Sequence, residues 1–125
     1  MVSPLDYLPF VRELLDGKTV SEVKIRTAIS RTYYAVYLYA AEKYVQAKGN
    51  NASIESACKN HTRFLNELKD ESDGRLNTIG NQIHELKRFR ERADYEIKAY
   101  LNKSDAEGCL NQAHKIIQNI KLILP

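Results

Sequence analysis

Proline is absent from this chain between Pro9 and Pro125. Proline breaks helix interiors because it lacks a backbone donor and clashes with the preceding turn, so its absence leaves this stretch open to helices. Only 5 glycines occur in 125 residues, which leaves few positions where backbone entropy weakens a helix. A chain of this length is about one domain long. The sequence therefore predicts a single helical domain over residues 1–125.

Apolar residues recur at three- and four-residue steps, the mark of helices with one buried face. Capping signals set the ends: Ser3, a Thr19–Glu22 pair, Asp73 and a Ser104–Glu107 pair as starts, and Asp16-Gly17 and Gly49-Asn50-Asn51 as stops. Five helices are predicted: about Pro4–Leu15, Thr19–Lys48, Ile54–Lys69 (with a break near Asn60), Gly74–Leu101, and one from Ser104. Because the connections are short, the predicted fold is an all-α, up-down bundle of four to five helices.

Composition points to an ordinary globular protein, with 43% hydrophobic and 28% charged residues. The formal charge of +3 is weaker than most nucleic-acid binders show, and the densest basic patch is Lys87 to Arg92. Cys58 and Cys109 form no CxxC or His/Cys cluster, so neither a metal site nor another cofactor is expected. Asp6 and Glu13 interrupt the apolar residues of the N-terminus, which argues against a signal peptide and predicts a cytoplasmic protein.

The fourth predicted helix has a charged residue in its apolar row. The row steps over Arg90 between Leu86 and Ala93, and its apolar members are Leu76, Ile79, Ile83, Leu86, Ala93, Ile97 and Tyr100. An arginine in a core-facing row is costly unless its charge is paired or lines a wet cleft. Two interpretations stay open: a structural ion pair with Asp94, or a polar cleft that opens at Arg90.

Eight tyrosines and no tryptophan are present, and five of the tyrosines crowd into the second helix. Tyr33, Tyr37 and Tyr44 share its buried face, so we expect core residues whose hydroxyls reach a partner. Tyr34 and Tyr39 point elsewhere, which suits a dimer interface.

Two segments carry a resemblance to a known family. Residues 26–37, R-T-A-I-S-R-T-Y-Y-A-V-Y, resemble the A-I-S-R-x-Y-Y-A segment of small stand-alone prokaryotic HEPN proteins. Residues 86–95, L-K-R-F-R-E-R-A-D-Y, resemble their later L-x-x-x-R-x-x-A-D-Y segment. His61 stands between the two, where that branch often has a Ser-His or similar pair. Order and spacing agree over about residues 16–120.

The resemblance implies a helical bundle that usually forms a homodimer. Many HEPN proteins are metal-independent RNA endonucleases of toxin–antitoxin or defence modules, often paired with a nucleotidyltransferase-type or other antitoxin. Their signature is an arginine followed after four to six residues by a histidine. The arginine serves the scissile phosphate and the histidine assists proton transfer from the ribose 2′-hydroxyl. Arg90 fits that arginine.

The histidine of the signature is missing. Four residues separate Arg90 from Tyr95, and the next histidine is His114. Tyrosine is a poor base at neutral pH, because its ordinary pKa is near 10. Tyr95 also lies about 140° from Arg90 around a regular helix, so a shared site requires a kink or a second subunit. Asp94 is closer, and His61 could supply the imidazole instead.

The resulting hypothesis is an RNA-directed HEPN homodimer with Arg90, Asp94, Tyr95 and His61 as catalytic residues. Arg31, Tyr34, Lys87 and Arg92 are the predicted RNA-binding residues. One alternative is a non-catalytic module that docks a nucleotidyltransferase-like partner or a nucleotide. Another is a purely structural dimer in which the Arg90–Asp94 pair only fixes packing.

Overall fold

The computed structural model describes residues 2–48 and 60–124. Within these ranges a 3₁₀ turn, Pro4–Asp6, is followed by five α-helices and no strand. The helices are α1 (Tyr7–Leu14), α2 (Glu22–Lys48), α3 (His61–Lys69), α4 (Gly74–Tyr95) and α5 (Lys103–Ile123). The predicted all-α bundle is confirmed.

Helix α2 lies at the centre of the bundle. It packs against α1, α4 and α5, while α3 packs against α4. The core between them is built from fully buried aliphatic side chains such as Ile29, Val36, Ile83 and Ile116. Each side chain of this kind stabilises the fold by roughly 1.5–3 kcal/mol through removal of apolar surface from water. The most buried face of α2 is therefore the surface on which the other elements are placed.

The first helical segment begins at Pro4 as the sequence predicts, but its first three residues form a 3₁₀ turn and α1 itself begins at Tyr7. Ser3 caps the Pro4–Asp6 turn, and its backbone N–H donates to the Asp6 carboxylate in a capping box. The chain turns at Gly17, whose φ of +104° is a conformation that residues with a Cβ rarely adopt.

Two predicted capping boxes are wrong. Helix α2 begins at Glu22, and the Ser21 hydroxyl accepts the Lys24 N–H at 3.3 Å. Helix α5 begins at Lys103, with Asn102 as the N-cap in a capping box with Asp105. Two caps compete within a few residues at each place. The selected cap directly follows an apolar residue that packs on the core, Val20 or Leu101, as in a hydrophobic staple.

The predicted break near Asn60 corresponds to the start of α3. The Asn60 side chain accepts the Arg63 N–H at 3.0 Å, so Asn60 is the N-cap and His61 is the first helical residue. The predicted helical residues 54–59, the predicted stop at residues 49–51 and Cys58 lie outside the described residues.

The predicted end of the fourth helix is also wrong. Helix α4 ends at Tyr95 instead of Leu101, and Glu96 leaves the helical region with φ −98° and ψ 81°. Ile97 and Tyr100, predicted to extend the buried row, are 84% and 80% exposed. The backbone after Tyr95 instead turns carbonyls toward the Arg26 guanidinium of α2, a contact described below.

The tyrosines of α2 follow the prediction with one exception. Tyr33, Tyr37 and Tyr44 are buried, and the hydroxyls of Tyr33 and Tyr44 bind His61 and Glu71. Tyr34 is half-buried and packs edge-on against Tyr7 of α1. Tyr39 was expected to suit an interface but is buried in the core cluster, because α2 is surrounded on several sides.

A side chain caps the C-terminal end of α3. The Asn77 amide of α4 donates to the carbonyl oxygens of Leu68, Lys69 and Glu71 at 2.6–3.0 Å. The hydrogen-bond ladder of α3 runs out at these carbonyls, so Asn77 joins the end of α3 to the start of α4.

No helix in the described ranges is both long and apolar enough to span a membrane.

Two histidines titrate below their ordinary pKa. Arg12 approaches His114 with 3.0 Å between Nη2 and Nε2, and because arginine only donates, His114 must accept and be neutral. Burial lowers the pKa of His114, and Arg12 adds to the effect. Burial also lowers the pKa of His84, together with the positive charges of Lys69, Arg88 and Lys87.

We expect the free energy of unfolding to decline as the pH falls below about 6.5, since the unfolded chain then binds protons that the two native imidazoles resist. The decline ends below the lowered pKa of the folded state. Replacing His114 with glutamine, whose amide oxygen can still accept from Arg12, makes the decline less steep. Urea midpoints measured from pH 8 to pH 5 test this, and an unchanged slope in His114→Gln contradicts it.

Candidate active site

Arg90 and Asp94 form an ion pair one turn apart on α4. The Nε–Oδ2 distance is 3.0 Å, and the two side chains are 27% and 29% exposed. Ser30 of α2 donates its hydroxyl to the same Asp94 oxygen at 3.2 Å. The pair engages Arg90 through Nε, and within the described ranges neither terminal nitrogen of its guanidinium makes a hydrogen bond. Asp94 thus orients the Arg90 guanidinium, and the terminal N–H groups of Arg90 stay available to an anion.

Two tyrosine rings lie beside the Arg90 guanidinium. Its Cζ is 5.8 Å from the ring centroid of buried Tyr33 and 5.4 Å from that of Tyr95, which is 67% exposed. The sequence predicted that a contact between Arg90 and Tyr95 requires a kink or a second subunit. The structure makes it within one chain, because the long arginine side chain reaches the tyrosine at the last position of α4.

His61 is held by the aromatic face of α2. Its Nδ1 is 2.8 Å from the Tyr33 hydroxyl, and its ring stacks on Tyr37 with centroids 3.7 Å apart. Burial raises the pKa of Tyr33; Arg90 opposes the shift and Glu91 reinforces it, so the phenol keeps its proton at neutral pH. One tyrosine therefore contacts the imidazole through its hydroxyl and the guanidinium of Arg90 through its ring.

The four predicted RNA-binding residues do not form one cluster. Lys87 lies near His61, with its Nζ 3.2 Å from the hydroxyl of Thr62 and 3.8 Å from Glu91. Arg31 stacks on the Tyr34 ring at 5.0 Å. Arg92 points away from Arg90 and its guanidinium lies 5.8 Å from the centroid of the Phe89 ring. This is expected, because a residue two positions further along a helix lies about 200° around its axis.

A shallow groove of about 310 Å³ runs beside the ion pair. Arg31 and Ser30 of α2 line it together with Asp94 of α4. The groove brings one of the predicted RNA-binding residues, Arg31, to the predicted catalytic carboxylate.

Arg26 binds the end of α4. Its Nη1 donates to the carbonyl oxygens of Arg92, Ala93 and Glu96 at 3.0, 3.0 and 3.1 Å. Its Nη2 donates to those of Ile97 and Ala99 at 3.0 and 2.7 Å. The end of α4 is therefore bound by a residue of α2 that lies 66 positions before the first of these carbonyls.

The polar residues that α2 contributes had a signal in the sequence. Arg26, Ser30, Tyr33 and Tyr37 step by four, three and four residues, so they lie in one row along the helix. This row contacts the end of α4 and His61. Sequence reasoning assigned Tyr33 and Tyr37 to the core and gave Arg26 and Ser30 no role, because a partner distant in sequence cannot be read from spacing.

Cys109 is a free thiol whose burial, with a further contribution from Asp105, raises its pKa to about 12. It is therefore a thiol at neutral pH and a poor nucleophile. Within the described ranges no three His, Cys, Asp or Glu residues are grouped so that they could hold a metal ion.

The arrangement suits chemistry on a phosphodiester. Arg90 supplies an oriented cation, His61 supplies an imidazole, and Tyr95 supplies an exposed aromatic ring beside the cation. Asp94 is occupied by Ser30 and Arg90, so its geometry fits an orienting role better than that of a base.

Comparison with known proteins agrees with the motif resemblance. A model of the HEPN domain matches residues 18–123 of the 125-residue chain, a range that includes α2 to α5 and every site residue above. No curated protein and no solved structure gives a significant match. On the extent of the family match, the chain belongs to the HEPN domain family.

Proposed function

We propose that this protein is a cytoplasmic, RNA-directed HEPN protein of a toxin–antitoxin or defence module, and that it cleaves RNA without a metal ion. The observation that carries the proposal is the contact of Tyr33 with both His61 and Arg90. The motif histidine is missing from α4, but an imidazole from α3 is held by the same tyrosine that lies beside the motif arginine.

In the proposed reaction the ribose 2′-hydroxyl attacks the adjacent phosphorus. The O2′–P bond forms, the bond to the 5′-oxygen breaks, the 2′ proton passes to His61, and the departing 5′-oxygen takes a proton from water. Arg90 stabilises the charge that grows on the phosphoryl oxygens, with Asp94 holding its Nε. Tyr33 holds Nδ1 of His61, which assigns the proton transfer to Nε2.

Three cationic or aromatic groups are proposed to bind the RNA strand. Lys87 and Arg31 flank the site and contact phosphates, while Tyr95 offers an exposed ring on which a base can stack. Tyr34 supports Arg31 by stacking beneath it. Arg92 points to another side of α4 and is assigned at most a distant phosphate contact.

Replacing Arg90 with alanine is expected to lower the rate of RNA cleavage by about 10²–10³-fold, the effect of removing one donor that stabilises transition-state charge. The assay incubates purified protein with a mixed cellular RNA pool in the presence of a chelator. Circular dichroism shows whether the variant keeps its helices.

Arg75→Ala is the matched control, because it removes the same charge from an exposed position at the other end of α4. Cleavage by wild type and Arg75→Ala, but not by Arg90→Ala, supports the assignment. Equal cleavage by all three proteins means that Arg90 is not catalytic.

Replacing His61 with asparagine is expected to lower cleavage by about 10²–10⁴-fold, because asparagine can bond to Tyr33 but cannot exchange a proton. The pH–rate profile between about pH 5 and 8 should flatten as well, since an imidazole titrates in this range. Tyr95→Phe, which keeps the ring, serves as the comparison. If the pH–rate profile of His61→Asn is the same as that of the wild type, His61 is not the group that transfers the proton. A large loss of cleavage in Tyr95→Phe would assign the proton transfer to the Tyr95 phenol.

We also propose that the protein is a homodimer formed through the exposed apolar side chains that follow α4. Ile97 and Tyr100 are 84% and 80% exposed in a segment fixed to the bundle by Arg26. Rigid, exposed apolar groups of this size favour a protein interface.

The double variant Ile97→Ser/Tyr100→Ser is expected to be monomeric at a concentration where the wild type is dimeric, by light scattering. Leu122→Ser is the control, since Leu122 is 79% exposed and lines a groove with Arg75 at the other end of α4. A double variant that remains dimeric assigns the interface to another face.

A second candidate function is a non-catalytic module that docks a nucleotidyltransferase-like partner or a nucleotide. It is favoured by the Asp94 carboxylate, which already neutralises Arg90 and would repel an approaching phosphate. In that case neither the wild type nor Arg90→Ala cleaves RNA. A stoichiometric partner that copurifies with the wild type, but not with Ile97→Ser/Tyr100→Ser, would then identify the docking face.

A further inference from the structure

We infer that Arg26 is the positioning residue of this site, because its guanidinium decides where α4 ends and thereby where Asp94 and Tyr95 lie relative to Arg90. The catalytic consequence of this role rests on the proposed ribonuclease function. The positioning itself rests on geometry alone.

All three nitrogens of the Arg26 guanidinium are engaged. The two terminal nitrogens donate to five carbonyl oxygens at 2.7–3.1 Å, and Nε pairs with Glu22 at 3.0 Å. The Arg26 side chain is only 16% exposed. A cation so thoroughly coordinated and shielded can occupy one position, and the backbone that coordinates it is fixed to the same degree.

The bound carbonyls lie on both sides of the two site residues. Arg92 and Ala93 come directly before Asp94 and Tyr95, and Glu96 comes directly after them. The last carbonyls of a helix have no partner within it and carry about half a negative charge in total. The Arg26 guanidinium donates hydrogen bonds to these carbonyls and also balances their negative charge. The last turn of α4 is therefore held where Asp94 and Tyr95 project toward Arg90.

Arg26 also makes the early end of α4 favourable. The carbonyls of Ile97 and Ala99 turn toward its Nη2, which a continuing helix would not allow. The departing backbone is closed by two bonds of its own, from the Glu96 N–H to Arg92 O at 3.1 Å and from the Ala99 N–H to Glu96 O at 3.0 Å. These two amides therefore report on the contact.

Lysine cannot replace this arrangement. Its ammonium is a compact point charge with three donors, whereas the planar guanidinium presents five donors in a fixed fork. Arg26→Lys keeps the charge at the end of α4 but can bind only some of the five carbonyls. It should therefore fall between the wild type and Arg26→Ala.

The test is hydrogen exchange by NMR on the ¹⁵N-labelled full chain, followed by RNA cleavage. In Arg26→Ala we expect the Glu96 and Ala99 amides to exchange at least about tenfold faster than in the wild type, with shifted Asp94 and Tyr95 resonances. The Ile83 amide, in the middle of α4, should change far less. Arg26→Lys should show a smaller effect at the same amides, and it carries the test if Arg26→Ala does not fold.

Asn77→Ala is the matched control, since it removes the side-chain cap of α3 about 25 Å away along α4. Asn77→Ala should lower the stability of the whole protein without selectively speeding hydrogen exchange at the Glu96 and Ala99 amides. The proposal is overturned if these amides keep wild-type rates in both Arg26 variants, or if they change only in proportion to the whole protein, as in Asn77→Ala.

The RNA-cleavage assay distinguishes a failure of this proposal from a failure of the proposed ribonuclease function. If Arg26 acts through Asp94 and Tyr95, Arg26→Ala lowers kcat through the displaced Asp94 and raises KM through the displaced Tyr95, and it has no further effect on either constant in an Asp94→Ala/Tyr95→Ala background. An equal further loss in that background overturns the positioning role. If the wild type cleaves no RNA, the ribonuclease function fails, and the exchange result alone decides where Arg26 acts.

Discussion

Five carbonyl oxygens at the end of α4 converge on the guanidinium of Arg26. A buried cation is costly unless its donors are satisfied, and carbonyls at a helix end are costly unless they find donors. The cation finds its acceptors, and the carbonyls find their donors, only when α2 and α4 pack at one relative position along their axes. The contact therefore fixes the length of α4, its placement against the central helix and the path of the chain into α5.

The same register creates the candidate site. Arg26, Ser30, Tyr33 and Tyr37 form one row along α2, and each contacts a partner from another helix. The row contacts the end of α4 at Arg26 and Ser30, and the first residue of α3 at Tyr33 and Tyr37. Packing and chemistry therefore depend on the same face of one helix, so a shift of α4 by one turn would separate Asp94 from Ser30 and Arg90 from Tyr33.

Local patterns in the sequence were sufficient for part of this structure. Apolar spacing and the lack of internal proline predicted the helices, and the interruption of the apolar row singled out Arg90. The ion pair with Asp94 followed from one-turn spacing and is present. The end of α4 could not be predicted, because residues 96–101 keep a helical apolar pattern while the interaction that stops the helix comes from α2. The cap registers at Ser21 and Asn102 were missed for a related reason: several caps fit locally, and packing on the core selects one.

Three candidate proton carriers lie near Arg90, and their surroundings separate them. The Asp94 carboxylate is occupied by the Arg90 guanidinium and the Ser30 hydroxyl, which fits an orienting role. Tyr95 is well exposed at the end of its helix, where it offers a ring for stacking. His61 carries an imidazole, the side chain that most often transfers protons in catalysis, and Tyr33 and Tyr37 of α2 contact it. In the proposed reaction the imidazole that HEPN ribonucleases usually carry on the arginine's own helix is supplied by α3. Tyr33 contacts both the His61 imidazole and the Arg90 guanidinium, and so links the positions of these two groups.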